Sequence, residues 1–181
     1  GGGGFSAGYG VAARTESLDI MGCVVVWGAG FHTRLYGLGV PTVAACTGHA
    51  LAAGALILLS CDERVGADVP AKIGLNEVAI GMPLPVFAVE LARDRLRASH
   101  VGPSTMGAAV YDPAGALEAG YLDEVVAAGA VRDRAVERAR ALAELRTGAY
   151  ARTKTALRRA TIQHVLATLE DDMASVDGPD A

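Results

Sequence analysis

Aromatic side chains make up only 5% of this chain, with a single tryptophan among them. So little ring volume excludes an aromatic core. The abundance of Ala and Gly points instead to closely packed layers of small residues. Cysteine is also scarce: Cys23, Cys46 and Cys61 form an odd set without metal-ligand spacing. That excludes a disulfide framework and a structural zinc site, and leads us to expect a reduced, cytoplasmic chain whose cysteines are small core residues. Positive charge is not in excess, since 16 Lys and Arg face 20 Asp and Glu for a net charge of -4, so nothing calls for nucleic acid. No apolar run is long enough for a membrane span; residues 21–29 are too few and are interrupted by Gly. No signal peptide and no initiating Met are present, and the Gly1-Gly2-Gly3-Gly4 start reads as an internal cut in a longer protein.

What is present is a chain of 181 residues, 51% hydrophobic and 20% charged, enough for one folded domain with a substantial core. Two glycine motifs fail on inspection. GGGGFSAGYG at residues 1–10 reads as a loop but lacks the Gly-Lys-Ser/Thr ending of a phosphate loop. VVVWGAG at 24–30 resembles a strand entering a dinucleotide loop, yet Thr33 stands at the third Gly position and no acid between Asp19 and Asp62 could hold a ribose.

Periodicity and punctuation predict an apolar helix over 17–38, a buried strand over 41–46 and a buried helix over 50–60. Short strands follow at 64–66 and 71–74 around a turn at Asp68-Val69-Pro70. Pro83 and Pro85 precede a helix over 86–98. Asp112-Pro113 opens a short helix over 114–119 that Gly120 stops, and 121–126 reads as a strand. From Ala130 charges recur every three or four residues, predicting amphipathic helices over 130–145, 148–159 and 162–174. The expected organisation is therefore an α/β core over 1–129 and a helical region over 130–181.

Chemistry concentrates between Gly48 and Pro85. A small-residue run, Ala50 to Ala55, allows close approach to the backbone and leads into a helix whose first N–H groups can hold a developing negative charge. Glu77 follows as the one charged residue between Lys72 and Glu90. A carboxylate among apolar neighbours is suited to act as a general base, although by itself it reads first as a helix-capping or surface carboxylate. His49, His32, His100 and His164 are isolated, and no metal site is expected. Asp62 reads as a turn-holding carboxylate, Glu63 and Arg64 as a solvated pair. Lys154, Arg158 and Arg159 read as a solvated basic face that could also meet phosphates.

Three segments resemble the crotonase superfamily, the enoyl-CoA hydratases and isomerases. FSAGY at 5–9 resembles its F-[SCA]-[AG]-G-x-[DFY] loop. TGHALAAGALILLSCDER at 47–64 resembles N-G-x-A-x-G-G-G-x-x-L-x-x-x-C-D-x-R, and IGLNEVAIGMP at 73–83 resembles F-G-x-P-E-x-x-x-G-x-x-P. DPAGALEAGYLDEVV at 112–126 is similar to A-x-x-x-G-L-V-x-x-V. The resemblance implies a ββα spiral with a C-terminal helical region used in trimer formation; the first strands and helix of that fold are expected to be missing. It implies an acyl-CoA thioester as substrate, no separate cofactor, and a homotrimer or a pair of trimers. The backbone N–H groups of Tyr9 and Ala53 would form an oxyanion hole, with Ala7, Gly8, Gly54, Leu56, Met82 and Leu84 around the substrate. Of the two glutamates usual in the hydratases, Glu77 matches one, and Leu56 stands at the other. Moving a double bond needs one base, whereas adding water is easiest with two acids. The expected reaction is therefore isomerisation, with hydration, or acyl-CoA binding without turnover, as alternatives.

Overall fold

The computed structural model describes residues 4–6 and 18–174. Among the described residues six strands form two three-stranded parallel sheets. One has β1 (Gly4–Ser6), β3 (His49–Leu51) and β5 (Ile73–Gly74) side by side; the other has β2 (Val43–Cys46), β4 (Glu63–Asp68) and β6 (Glu124–Ala127). The chain visits the sheets alternately. β2 turns at Thr47-Gly48 into β3, which leads into α2 (Ala53–Ser60); β4 turns at Val69-Pro70 into β5, which leads through a short 3-10 turn (Val78–Ile80) into α3 (Val86–Arg95). Each circuit is thus a strand in each sheet followed by a helix, the expected ββα winding. A C-terminal helical region follows, as expected.

The sequence reading of 50–60 as helix needs correction. His49–Leu51 is a strand, because Ala50 N–H donates to the Lys72 carbonyl at 2.9 Å and Ala50 pairs with Ile73. Its own residues carry no β-branched side chain, so tertiary pairing decides the conformation. The Gly-rich loop likewise contains β1, held by β3 in parallel. The predicted helix over 86–98 stops at Arg95, and α4 (Ala98–Thr105) follows it despite an internal Pro103. α5 (Pro113–Ala119) begins where its punctuation predicts: Asp112 Oδ1 accepts the Gly115 N–H at 2.7 Å, and Gly120 adopts φ 99° after the last turn. β6 starts at Glu124, three residues later than expected, since Tyr121 and Leu122 still donate to the Ala116 carbonyl.

α1 (Leu18–Tyr36), α6 (Val131–Ala143) and α7 (Thr147–Ala174) complete the fold. α7 is one helix of 28 residues where the sequence reading has two, because 160–161 contains no breaker. α7 packs on α1 and α3, and α6 on β2 and β4. The main core gathers Leu56, Leu58 and Leu59 of α2 with Phe87, Leu91, Tyr121 and Val165. A smaller cluster, Val65, Ala67, Val131 and Ala135, seals α6 to its sheet.

The basic residues of α7 are another correction. Lys154 and Arg158 are buried, and their nitrogens lie 2.8 and 2.9 Å from the two carboxylate oxygens of Asp62; only Arg159 is exposed. Glu63 and Arg64 also fail to pair with each other. Arg64 is buried and reaches Asp123 through two nitrogens, at 2.8 and 2.6 Å, while Glu63 takes Arg138 of α6. Charge spacing alone could not reveal partners 59 and 92 positions away.

Candidate active site

The site forms where β3 and β5 end side by side. Ala52 N–H donates to the Gly74 carbonyl at 3.1 Å, so the start of α2 is tied to the end of β5. Ala52 is the N-cap of α2 and sits at φ 51°, ψ −121°, without a side-chain cap. This is an uncommon conformation for a residue with a Cβ, costing on the order of 1–3 kcal/mol, and such strain persists where surrounding structure imposes it. The first intrahelical bond runs from Leu56 N–H to the Ala52 carbonyl at 3.0 Å. The amides of Ala53, Gly54 and Ala55 therefore have no acceptor within the helix.

Gly54 explains how a second loop reaches these amides. A Cβ placed there would lie 2.5 Å from the Ser6 carbonyl oxygen and 2.8 Å from the Ser6 Cβ. Only glycine allows β1 to end directly against the first turn of α2. The proposed loop residues Ala7, Gly8 and Tyr9 lie outside the described residues.

Glu77 follows β5 by three residues. It caps the 3-10 turn Val78–Ile80, and its carbonyl accepts from Ile80 N–H at 3.0 Å and Met82 N–H at 3.1 Å. Gly81 closes that turn at φ 73°. The half-buried Glu77 side chain thus stands on a compact, internally bonded turn anchored to the strand that holds Ala52. Met82 and Leu84 follow, both half-buried; Leu84 packs against the main core. Leu56 is fully inside that core, 3% exposed.

Beside Tyr111 lies a buried group that sequence reading passed over. Tyr121 is completely buried, its ring 5.9 Å from that of Tyr111. Ser104 Oγ lies 3.1 Å from the Tyr111 hydroxyl. Burial pushes the Tyr121 phenol well above its usual range; hydrogen bonds from Ser104 and the Leu75 backbone oppose this, while Tyr111 and the charge on Glu77 add to it. The available signal was a hydroxyl at 121, where the resembling motif has Leu.

The other candidates are structural. His49 Nδ1 accepts the Lys72 N–H at 2.9 Å. Beside it, an open cavity of about 520 Å³ lies at the starting ends of β3 and β5, opposite Glu77. Asp62 holds its turn by accepting from the Thr42 N–H at 2.8 Å. Among the described residues no cluster of His, Cys, Asp or Glu is placed to hold a metal ion, and no helix is long and apolar enough to cross a membrane.

A strained helix start, a strand abutting its glycine and a carboxylate on the adjoining turn agree with the motif resemblance. The sequence profile of the enoyl-CoA hydratase/isomerase family matches residues 1–176. This chain belongs to that family. An enoyl-CoA hydratase/isomerase family protein from Pseudomonas syringae shares 37% identity and superposes with a TM-score of 0.93 over 96% of this chain and 75% of its own. An enoyl-CoA isomerase of Mycobacterium tuberculosis shares 35% identity at a TM-score of 0.91, over 97% of this chain and 76% of its own. Mouse mitochondrial enoyl-CoA delta isomerase 1 is 30% identical over 141 residues, which are 77% of this chain and 49% of that protein. The chain spans about half the length of the curated isomerases it matches.

Proposed function

We propose that this chain acts on an acyl-CoA thioester and shifts a carbon–carbon double bond through an enolate. Glu77 is the base. It removes a proton from the carbon between the thioester carbonyl and a 3,4 double bond. The electron pair moves toward the carbonyl oxygen, and the proton returns to the far carbon, leaving the double bond conjugated with the thioester. The Ala53 amide, together with that of Tyr9, receives the oxyanion. Each well-placed donor is worth roughly 3 kcal/mol in the transition state. Met82, Leu84, Gly54, Ala7 and Gly8 surround the acyl and thioester portions in this reading. CoA enters as part of the substrate and no separate cofactor takes part. Assembly as a homotrimer or a pair of trimers belongs to the same proposal.

The observation carrying this reading is the junction of β3 and β5. The Ala52–Gly74 hydrogen bond brings the open amides of α2 and the turn bearing Glu77 into one unit. Leu56 favours isomerisation over hydration, because an apolar residue sealed in the core stands where a second acid would orient water. Steady-state rates with 3-enoyl-CoA and 2-enoyl-CoA substrates test the choice: isomerisation should exceed hydration, and the reverse order would establish a hydratase. Glu77→Gln should lower isomerase kcat by about 10²–10⁴-fold. Unchanged turnover in that variant would remove Glu77 from the mechanism; acyl-CoA binding with no turnover in the parent protein would favour a binding module.

A further inference from the structure

We propose that Asp172, in the last turn of α7, is a positioning residue for the turn that carries Glu77. This role rests on the reading of Glu77 as base. Ile162, Val165 and Leu169 pack against the main core at helical spacing. Asp172 continues their stripe as a carboxylate, only 8% exposed. Taking a carboxylate out of water is costly unless it is hydrogen-bonded, so an acid at the end of an apolar stripe calls for a partner that needs it. Its Oδ2 accepts the Val86 N–H at 2.9 Å, from 86 positions back in the chain. Val86 is the first residue of α3, and Pro85 before it offers no side-chain cap. Asp172 therefore caps α3 from another helix, with its negative charge at the favourable end.

What this cap holds is the far end of a stiff strut. Pro83 and Pro85 have a fixed φ, and each restricts the residue before it to extended backbone, so 82–85 has little freedom. At one end Met82 N–H donates to the Glu77 carbonyl at 3.1 Å; at the other Val86 N–H donates to Asp172. Leu84, between them, packs against the main core. That apolar contact limits the strut's depth, and the two hydrogen bonds set its direction. The turn after Glu77 needs such a holder. None of Val78, Ala79 and Ile80 is buried, and Val78 and Ile80 are 42% and 39% exposed. Burial does not fix this turn; its attachments do. β5 holds it from upstream and the strut from downstream. A misplacement of about 1 Å, caused far from the chemistry, can cost about 10²-fold in rate. Asp172 thus acts on the base through Val86, the strut and Met82, without touching substrate.

The test compares the parent chain with Asp172→Ala, Asp172→Asn and Pro83→Ala. Hydrogen exchange is read by mass spectrometry over residues 77–84, a stretch that excludes the Val86 amide. It should quicken in Asp172→Ala while α2, Ala53–Ser60, keeps the parent rate. Isomerase kcat should fall by about 10- to 100-fold with KM within about twofold. Asp172→Asn keeps an oxygen that can accept the Val86 N–H, so both readouts should return close to parent values. Pro83 is exposed, and Pro83→Ala leaves Asp172 in place; softening the strut there should move exchange and kcat in the same direction by less. Unchanged exchange over 77–84 in Asp172→Ala would overturn the proposal. So would an unchanged kcat, or equal quickening in α2, which marks a general loosening of the fold. Should Asp172→Ala fail to fold, an unaltered kcat in Pro83→Ala overturns it instead. The two readings separate cleanly: full turnover in Glu77→Gln sinks the base assignment and with it the role of Asp172. An inactive Glu77→Gln beside an unaltered Asp172→Ala sinks the positioning role alone.

Discussion

The two ends of α2, a helix of eight residues, are built on opposite principles. At the amino end Ala52 is strained and uncapped, the next amides have no acceptor within the helix, and no acidic residue occupies the first turn. At the carboxyl end nearly everything is satisfied. Ser60 Oγ donates to the Leu56 carbonyl at 2.7 Å and faces His32 Nδ1 at 3.1 Å; Arg95 donates to the carbonyls of Cys61 and Asp62; Asp62 gathers Thr42, Lys154 and Arg158. One end leaves its first amides without an acceptor inside the helix, and the other uses its hydrogen bonds to fasten the fold. A short apolar helix can do both because its middle, Leu56 to Leu59, is gripped by the core and transmits little distortion.

The contrast can be broken first at the carboxyl end. Asp62→Ala would leave two buried cations facing no anion, so the fold should lose about 3–5 kcal/mol. Urea denaturation reads that loss, and the folded fraction should keep its specific activity. A loss below about 1 kcal/mol would show that the buried cluster does not fasten α7. At the amino end Gly54→Ala should do the reverse in kind. The added Cβ meets the Ser6 carbonyl, costing about 1–3 kcal/mol as β1 shifts away. Isomerase turnover should fall by more than the stability loss explains; equal activity at saturating substrate would show that β1 need not abut α2.

The smallest effect concerns pH. Burial holds His32 at about 4, against an ordinary 6.5. The unfolded chain therefore takes up a proton below pH 6.5 that the folded one resists. This contribution is complete above 6.5, declines as pH falls and is exhausted below about 4. Between pH 7.5 and 5.5 the loss should be about 1 kcal/mol, and His32→Gln should flatten it. Asp62 acts in a different window. Burial tends to raise its pKa, but hydrogen bonds from Lys154, Tyr150 and the Thr42 backbone, with the Arg158 charge, hold it below its usual 3.8. Its contribution is present above 3.8 and lost as pH falls through the lower folded value, so the two groups can be told apart by where stability begins to drop.

Sequence reading found the amino end of α2 more readily than the carboxyl end. Small residues before a helix and a solitary acid after it are local signals, and Ala53, Gly54 and Glu77 stand on adjoining segments. The winding of the core was visible in the same motifs, and α5 in its Asp-Pro start and Gly stop. The cage around Asp62 was not legible: Lys154 and Arg158 sit in a run of charges that reads as solvated, and only tertiary packing brings them inside. β3 was hidden because Ala50 and Leu51 have no strand preference until Lys72 and Ile73 arrive. Tyr121 was overlooked because a motif compared by hydrophobic type conceals a hydroxyl.

The long C-terminal helix has a consequence for how the chain is made. Its ties reach far back: Asp62 to Lys154 spans 92 positions, Val86 to Asp172 spans 86, and the Tyr36 carbonyl to Arg158 spans 122. During synthesis at about 5–20 residues per second, the earlier helices emerge well before the segment that closes over them. For roughly ten seconds the apolar faces of α1 and α3 are therefore uncovered, and the vulnerable species is a nascent chain already holding both sheets. Truncation before Lys154 would make that exposure permanent, producing a chain prone to chaperone capture and degradation.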